Sequence, residues 1–369
     1  MRTLRSIALV SLFALPGYGF GCGGADEASS EAPAADGGAD VRADTAGDDA
    51  VADALDDDAT DARVDAETAP PVTKVTLAVL GDVAQAGRTQ YARANAALIT
   101  KHAPKVSAGL FFGDLARQSN PPTMPLKEYF DKYWKPATAA NFGQFDGIAF
   151  PVPGNHEYFE TNAKGYFDYF ATRLDAIKKV PGYSGVVDTV VGGGYYAFDV
   201  NGWRVYALNT NGGCDVIECK AGSPQETWLK DDLAKHPGVP TVAYWHEPRF
   251  TCGGGNGETA GFWNDLFDAK ADLVFAGHTH YYQRWKPLNK AGALATPGLT
   301  QLIVGSGGVT PGDDCKDSAG RIAKSIGGDA GMGVLFLTLG SDGSYAYEYR
   351  VQSDGSVFDS GSGKSRNAK

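Results

Sequence analysis

Five apolar runs in this chain are each followed by side chains that can bind a metal ion. The run 148–152 is a predicted buried strand, and the turn Pro153-Gly154 after it would present an amide and an imidazole side by side. Carboxylate and imidazole groups suit zinc, iron and manganese, and a carboxylate can bridge two such ions. These residue types therefore predict a metal centre. The candidate ligands are Asp82, Asp114, Asn155, His246, His278 and His280.

Taken singly, most of these residues also have a structural explanation. A Gly-Asp pair after a strand is commonly a turn, and a histidine after a Tyr-Trp run is commonly a core residue. His278 and His280 are stronger candidates, because residues two apart in an extended segment project to the same side. Loops at the carboxyl ends of α/β strands converge on one crevice, so the five motifs together predict one site. Four of the chain's six histidines follow these runs, and only His102 and His236 do not.

The secondary-structure elements that must position these residues are predicted to alternate between strands and helices in most of the chain. Towards the C-terminus the predicted elements are mostly strands. A type I′ turn at Asn201-Gly202 is predicted to join two strands in a hairpin. This order predicts an α/β (α+β) fold of two sheets packed face to face, with helices outside. The predicted helices are Thr89–Lys101, Leu126–Trp134, Tyr166–Lys178, Pro224–Lys235 and Phe262–Lys270. The predicted strands are Lys74–Leu80, Val106–Phe112, 148–152, Tyr195–Val200, Trp203–Leu208, Thr241–Trp245, Leu273–Ala276, Gln301–Val304, Val334–Leu339 and Tyr345–Val351.

The net charge of -11 is concentrated near the N-terminus. Residues 25–71 hold 15 of the 44 acidic residues but only two of the 33 basic ones, and Arg2 and Arg5 precede them. Residues 72–369 therefore contain 29 acidic and 29 basic residues, and this balance argues against nucleic-acid binding.

The first 22 residues have the pattern of an export signal. Arg2 and Arg5 precede the apolar run Ile7–Leu15, which is too short to span a bilayer. Cys22, between glycines, favours a lipoprotein anchored by that cysteine, on the periplasmic side or at the cell surface; plain secretion is the alternative. Residues 23–71 are predicted to be a disordered acidic linker, since a calcium-binding repeat would need regular spacing. Residues 72–369 would then form the functional domain.

Four cysteines remain if Cys22 is the anchor, and an exported chain would pair them in two disulfides. Three connectivities are possible. Cys214 and Cys219 share one loop, which favours a local bridge there and a second between Cys252 and Cys315. A thiolate metal site is the alternative, but the chain lacks a Cys-x-x-Cys spacing.

The order of the motifs resembles that of the calcineurin-like metallophosphoesterases, and especially their purple acid phosphatase-like branch. The resemblance covers about residues 74–350 and implies a four-layer αββα sandwich with a two-metal centre. The motifs that carry it are Gly81-Asp82, Gly113-Asp114, Gly154-Asn155-His156-Glu157, His246 after Val242–Trp245, and Gly277-His278-Thr279-His280.

The resemblance also implies a role for each ligand. Asp114 would bridge two ions, Asp82 and His280 would complete a first site, and a second site would add the remaining ligands, Asn155, His246 and His278. His156 would lie outside the metal ligands and stabilise the phosphate or protonate the leaving oxygen. Two cations ~3.5–4 Å apart would hold the phosphate and activate a water for attack, without a protein nucleophile.

The sequence departs from the family pattern in three places. Asp82-Val83-Ala84 lacks the histidine of the common first motif, and Arg117 stands where the purple enzymes have a ligand tyrosine. We therefore expect a weaker first metal and no tyrosinate-to-iron colour. Arg117 could bind the substrate phosphate or be a solvated loop residue. Glu247 stands where relatives often have a second histidine, and could hold a ligand imidazole or repel an anionic substrate.

The expected function is that of an exported, monomeric phosphoesterase that hydrolyses small phosphomonoesters with two metal ions: zinc, iron or manganese. Phosphodiesterase or nucleotidase activity at the same centre is the first alternative. The second is a surface lipoprotein that binds metal without catalysis, since the first site lacks a ligand. Metal stoichiometry would separate the catalytic and non-catalytic alternatives.

Overall fold

The structure is a computed structural model that describes residues 71–187 and 193–368. These residues belong to one unit, Thr68–Lys369. The predicted export signal, Cys22 and nearly all of the predicted linker lie outside the described residues. Within the described ranges, no helix combines the length and the apolar character that a membrane crossing requires.

Two large sheets form the centre of the fold. The six-stranded sheet has the order β16-β15-β14-β1-β3-β5, and the eight-stranded sheet has the order β13-β11-β12-β10-β9-β8-β7-β6. The strands are β1 Lys74–Leu80, β2 Ala84–Gln85, β3 Ala108–Phe112, β4 Ala116–Arg117, β5 Ala149–Val152, β6 Ser184–Val186, β7 Tyr195–Val200, β8 Trp203–Ala207, β9 Thr241–Tyr244, β10 Leu273–Ala276, β11 Tyr282–Trp285, β12 Thr300–Val304, β13 Ile322–Ile326, β14 Gly333–Gly340, β15 Ser344–Val351 and β16 Val357–Lys364.

The strands that precede the candidate ligands run parallel within each sheet. In the six-stranded sheet β1 pairs with β3, and β3 with β5; in the other, β8, β9, β10 and β12 are parallel neighbours. Parallel strands end at the same edge of a sheet, so the segments after them meet there. The short strands β2 and β4 add a separate parallel pair beside this edge.

Helices cover the outer faces of both sheets. Ala92, Ala96 and Ile99 of α1 belong to the core that also joins the two sheets, whereas Leu229 and Leu233 of α5 pack on the other face of the eight-stranded sheet. The predicted four-layer αββα sandwich is confirmed. The helices are α1 Thr89–Lys101, α2 Leu126–Tyr129 with a π-helical continuation Phe130–Trp134, α3 Lys164–Ile177, α4 Asn211–Cys214, α5 Pro224–Lys235 and α6 Ala260–Asp268, with 3-10 turns at Phe142–Ile148, Glu157–Phe159, Thr161–Ala163, Gly257–Thr259 and Asp329–Gly331.

Local sequence signals explain several element boundaries. Helix α5 begins after Ser223, whose side chain accepts the N–H of Glu226, and Pro224 occupies its first turn. Asn201 and Gly202 have φ values of 50° and 80°, as the predicted type I′ hairpin requires. Both preferred disulfides, Cys214–Cys219 and Cys252–Cys315, are present.

The sequence analysis missed six strands: the short pair β2 and β4, strand β11, and three strands at the edges of the large sheets. These edge strands are β6, β13 and β16. An edge strand buries little apolar surface, so its sequence lacks a strong hydrophobic pattern. Strand β16 illustrates this, since Val357–Lys364 contains two serines and two glycines and is exposed or half-buried along most of its length.

Candidate metal centre

All six predicted ligands lie at the edge where the parallel strands end. Asp82, Asp114 and Asn155 follow β1, β3 and β5, while His246 follows β9 and the two other histidines follow β10. Asp82, Asp114 and His278 have φ values of 60°, 50° and 66°. Non-glycine residues in this left-handed region cost about 1–3 kcal/mol each and concentrate at functional sites. The backbone is therefore strained where it turns these side chains inward.

The donor atoms of the second site form a tight cluster. Asn155 Oδ1 lies 3.0 Å from His246 Nε2 and 3.1 Å from His278 Nδ1, and the two ring nitrogens are 3.4 Å apart. Asp114 Oδ1 lies 3.3 Å from His246 Nε2. Donor atoms bound about 2.1 Å from one ion are about 3.0–3.4 Å apart in tetrahedral or octahedral sites. These residues therefore fit a metal ion.

The first site has fewer protein donors. Asp82 Oδ1 is buried without a hydrogen-bond partner and lies 3.5 Å from His280 Nε2. Donor atoms of Asp82, Asp114 and His246 all lie within 4.8 Å of one another. A buried carboxylate oxygen without a partner is costly unless a cation binds it. The first site thus fits an ion held by three protein ligands, with Asp114 shared.

Hydrogen bonds from the Nδ1 atoms to backbone carbonyls orient the rings of two of the histidines. His246 Nδ1 lies 3.1 Å from the carbonyl of Phe112, and His280 Nδ1 lies 2.8 Å from that of Thr310. Donation to these carbonyls places the proton on Nδ1 and leaves Nε2 free as a metal donor. Burial lowers the pKa of His246, and it lowers the pKa values of His278 and His280 to about 4. The rings are therefore neutral and able to bind metal near neutral pH.

The carboxylates favour a cation for a related reason. Burial raises the pKa of Asp82 well above its usual value, and the charge of Asp114 raises it further. Two buried carboxylates so close together repel each other when both are ionised. A bound cation would remove this repulsion.

Glu157 is a functional residue that the sequence analysis missed. Its buried carboxylate accepts the backbone N–H groups of Gly154 at 2.7 Å, Asp114 at 2.8 Å and Ala116 at 3.1 Å. Burial raises its pKa to about 7, although these three bonds favour the charged form. Glu157 thereby ties the Asp114 segment to the Asn155 turn. Its place directly after His156 was the only signal in the sequence.

His156 lies beside the cluster but outside it. Its Nε2 is 3.6 Å from Asp114 Oδ2, its Nδ1 is 2.5 Å from the carbonyl of Gln118, and its backbone N–H donates to Asp114 Oδ1 at 3.0 Å. The side chain is 12% exposed. This position is compatible with the predicted contact to a phosphate or a leaving oxygen.

Arg117 also lies at the centre. Strand β4 carries it, and the Tyr129 hydroxyl donates to its carbonyl at 2.8 Å. Its Nε is buried without a hydrogen-bond partner, 3.6 Å from Asp114 Oδ2. This is not the position of a solvated loop residue. The guanidinium adds a positive charge beside Asp114 Oδ2, whereas the other carboxylate oxygen, Oδ1, lies near His246 Nε2.

The carboxylate of Glu247 is hydrogen-bonded to Asn256 rather than to a ligand histidine. Its Oε2 accepts the side-chain amide of Asn256 at 2.9 Å, and burial raises its pKa to about 7. Among the described contacts of its carboxylate, none joins it to an imidazole. The interpretation that Glu247 holds a ligand ring is therefore not supported.

Comparisons with known proteins agree with this geometry. A family model described as Calcineurin-like phosphoesterase matches residues 75–282, more than half of the chain. Purple acid phosphatase 22 of Arabidopsis thaliana is 34% identical over 124 residues, which are 31% of this chain and 27% of that protein. Purple acid phosphatase 15 of the same plant is 25% identical over 201 residues, 51% of this chain and 34% of that protein.

Two solved structures share the fold. Purple acid phosphatase PPD1 from yellow lupin (Lupinus luteus) seeds has a TM-score of 0.58 at 16% identity, covering 79% of this chain and 53% of that chain. GAP50, the anchor in the inner membrane complex of Plasmodium, has a TM-score of 0.54 at 13% identity, covering 80% and 90%. The chain matches about a third of the length of its curated relatives.

Proposed function

The chain belongs to the calcineurin-like phosphoesterase family, and on that premise we propose that it hydrolyses small phosphomonoesters with two bound metal ions. The observation that carries the proposal is the donor cluster of Asn155, His246, His278 and Asp114, with neighbouring donor atoms 3.0–3.4 Å apart. Asp82 and His280 would complete the first site. Zinc, iron and manganese all suit these donors.

When bound, the two ions would neutralise the phosphate charge and lower the pKa of a water that attacks phosphorus. The chain's own residues would orient and protonate the ester. His156 is in the position to donate a proton to the leaving oxygen or to hydrogen-bond the phosphate, with its other ring nitrogen fixed by the carbonyl of Gln118. Arg117 is proposed to contact the phosphate, since a guanidinium matches phosphate geometry.

Two alternatives remain within reach of experiment. The same centre could hydrolyse phosphodiesters or nucleotides. A metal-binding surface lipoprotein without catalysis is favoured by one observation, the guanidinium of Arg117 at the first site, where the purple enzymes have a ligand. For residues 1–71 we propose an export signal, a lipid anchor at Cys22 and an acidic linker, which would place a monomeric domain outside the cytoplasm.

The test is turnover by the metal-stripped full-length protein after zinc, manganese or iron is restored, on an aryl phosphomonoester and the matching diester. Asp114→Asn should abolish turnover, because Asp114 serves both sites. Asp131→Asn, an exposed carboxylate on the π-helical turn, is the matched control and should retain activity. Absence of turnover with every metal, in a protein that still binds one ion tightly, would establish the non-catalytic alternative.

A further inference from the structure

A cavity of about 440 Å³ opens directly beside the candidate metal centre. His278 and Thr279 line one side of it, and Glu247, the residue after His246, lines another. His278 therefore belongs both to the donor cluster and to the cavity wall. An ester whose phosphate is held at the centre can place its alcohol part in this cavity.

Both disulfides hold walls of the cavity. Gly213 lines it and precedes Cys214, which is bonded to Cys219. Thr251 lines it and precedes Cys252, which is bonded to Cys315. Covalent links beside two of its walls make this a preformed cavity, as small-molecule sites usually are.

Glu247 supplies the carboxylate of the cavity. Among the described residues that line it there is no lysine or arginine, and Glu247 is its acidic member. Asn256 fixes the carboxylate: its Oδ1 accepts the N–H of Glu258 at 2.9 Å, so its amide group donates to Glu247 Oε2, also at 2.9 Å. A carboxylate oxygen can accept more than one hydrogen bond. The cavity thus offers an oriented acceptor to its occupant.

We propose that this cavity binds the alcohol part of the substrate and selects alcohols with a hydrogen-bond donor, an ammonium or hydroxyl group, over alcohols with a carboxylate. A second carboxylate would meet the like charge of Glu247 with no lysine or arginine among the described lining residues to compensate it, and would leave the acceptor unpaired. The inference rests on the proposed phosphoesterase function and adds a substrate class to it.

The first experiment, at about pH 8.5 where Glu247 is ionised, compares phosphoethanolamine, glycerol phosphate and phosphoglycolate with the zinc-loaded full-length protein and its Glu247→Gln variant. We expect kcat/KM for phosphoethanolamine to exceed that for phosphoglycolate about 10–100-fold in the wild type, and Glu247→Gln to remove most of this preference. If kcat/KM for glycerol phosphate exceeds that for phosphoglycolate as much as kcat/KM for phosphoethanolamine does, the preference comes from hydrogen bonding. If the excess is smaller for glycerol phosphate, the preference comes from charge. Equal values for all three substrates would overturn the proposal.

A second variant tests the cavity without touching Glu247. A Cβ added to Gly257 meets no atom within 4 Å, and its φ lies outside the left-handed region, so Gly257→Leu should fill the cavity without backbone strain. We expect it to raise KM for phosphoethanolamine while leaving inhibition by inorganic phosphate unchanged. Gly147→Leu, at a similarly open position elsewhere, is the control. An unchanged KM in Gly257→Leu would overturn the assignment.

Binding measurements test the cavity proposal separately from the proposed hydrolase function. Calorimetry with the zinc-loaded protein should show tighter binding of aminoethylphosphonate than of carboxyethylphosphonate, and Glu247→Gln should narrow the difference. Selective binding without turnover would support the cavity and contradict the hydrolase function. Turnover of an aryl phosphate without any selectivity would overturn the cavity proposal alone.

Discussion

Glu157 Oε2 accepts the backbone N–H of Asp114 at 2.8 Å, although the two residues are 43 positions apart in the chain. The same oxygen accepts the N–H of Gly154 at 2.7 Å, next to Asn155. One buried carboxylate therefore fixes the distance between a proposed bridging ligand and a ligand of the second site.

We expect Glu157→Gln to loosen both metals. The amide NH₂ of glutamine cannot accept these N–H groups, so at least one buried donor loses its partner, at a cost of about 1–3 kcal/mol. Denaturant unfolding and metal stoichiometry check this. Glu160→Gln is the matched control, because Glu160 accepts the backbone N–H of Leu126 away from the ligands and its loss should spare metal binding. Full metal content in Glu157→Gln would contradict the positioning role.

His156→Ala should lower turnover about 100-fold or more and leave metal content intact. Alanine keeps the backbone N–H that donates to Asp114 Oδ1, so the bridging carboxylate should stay in place. Elemental analysis and kcat on an aryl phosphate are the measurements, with His236→Ala as a control away from the site. Metal loss equal to that of Asp114→Asn would show that His156 is a ligand.

Arg117→Gln should tighten binding of the first metal. The substitution removes a positive charge whose Nε lies 3.6 Å from Asp114 Oδ2, on a side chain that is 24% exposed. Since the site is partly solvated, we expect a gain in affinity of about tenfold rather than the larger value of a dry interior. Chelator competition measures the two dissociation constants separately, and Arg93→Gln, an exposed arginine, is the control. Unchanged affinity for the first metal, combined with a raised KM, would show that Arg117 contacts the substrate phosphate and does not weaken metal binding.

Without metal, His280 should contribute a loss of stability as the pH falls from about 6.5 to about 4. Burial lowers the pKa of His280 to about 4 from its usual 6.5, so between these values the unfolded chain binds a proton that the folded protein does not. The contribution of His280 to stability therefore falls in this window and does not change above it, whereas buried Glu157 and Glu247, whose pKa values are raised to about 7, act in the opposite direction. After discounting for partial exposure, the loss is about 1–2 kcal/mol.

His280→Gln removes the titrating group, so the difference in unfolding free energy between the wild type and the variant should change across this pH window. Denaturant unfolding in the presence of a chelator, across the same pH range, gives both curves. Parallel curves for the wild type and the variant would show that His280 is not the source. Excess zinc should protect the wild type more than the variant.

Local sequence patterns were enough to predict the ligand types, their order and the layered fold. A run of buried residues in a strand, followed by Gly-Asp or Gly-His, is a local pattern, and parallel strands bring such ends to one edge whatever the details of packing. For that reason Asp82, Asp114, Asn155 and the three histidines could be placed together before any distance was known. The preferred disulfide pairing rested on the loop that Cys214 and Cys219 share and on the four cysteines that remain when Cys22 is set aside.

Which atoms contact one another depends on long-range packing and could not be predicted from local patterns. The bonds of Glu157, the approach of Arg117 to Asp114 and the cavity beside Glu247 join segments far apart in the chain, and no local spacing encodes such contacts. The edge strands were missed for the opposite reason, because a strand that buries little apolar surface carries little pattern. Local patterning and strand direction set where the ligands lie; long-range packing set their distances, charges and neighbours.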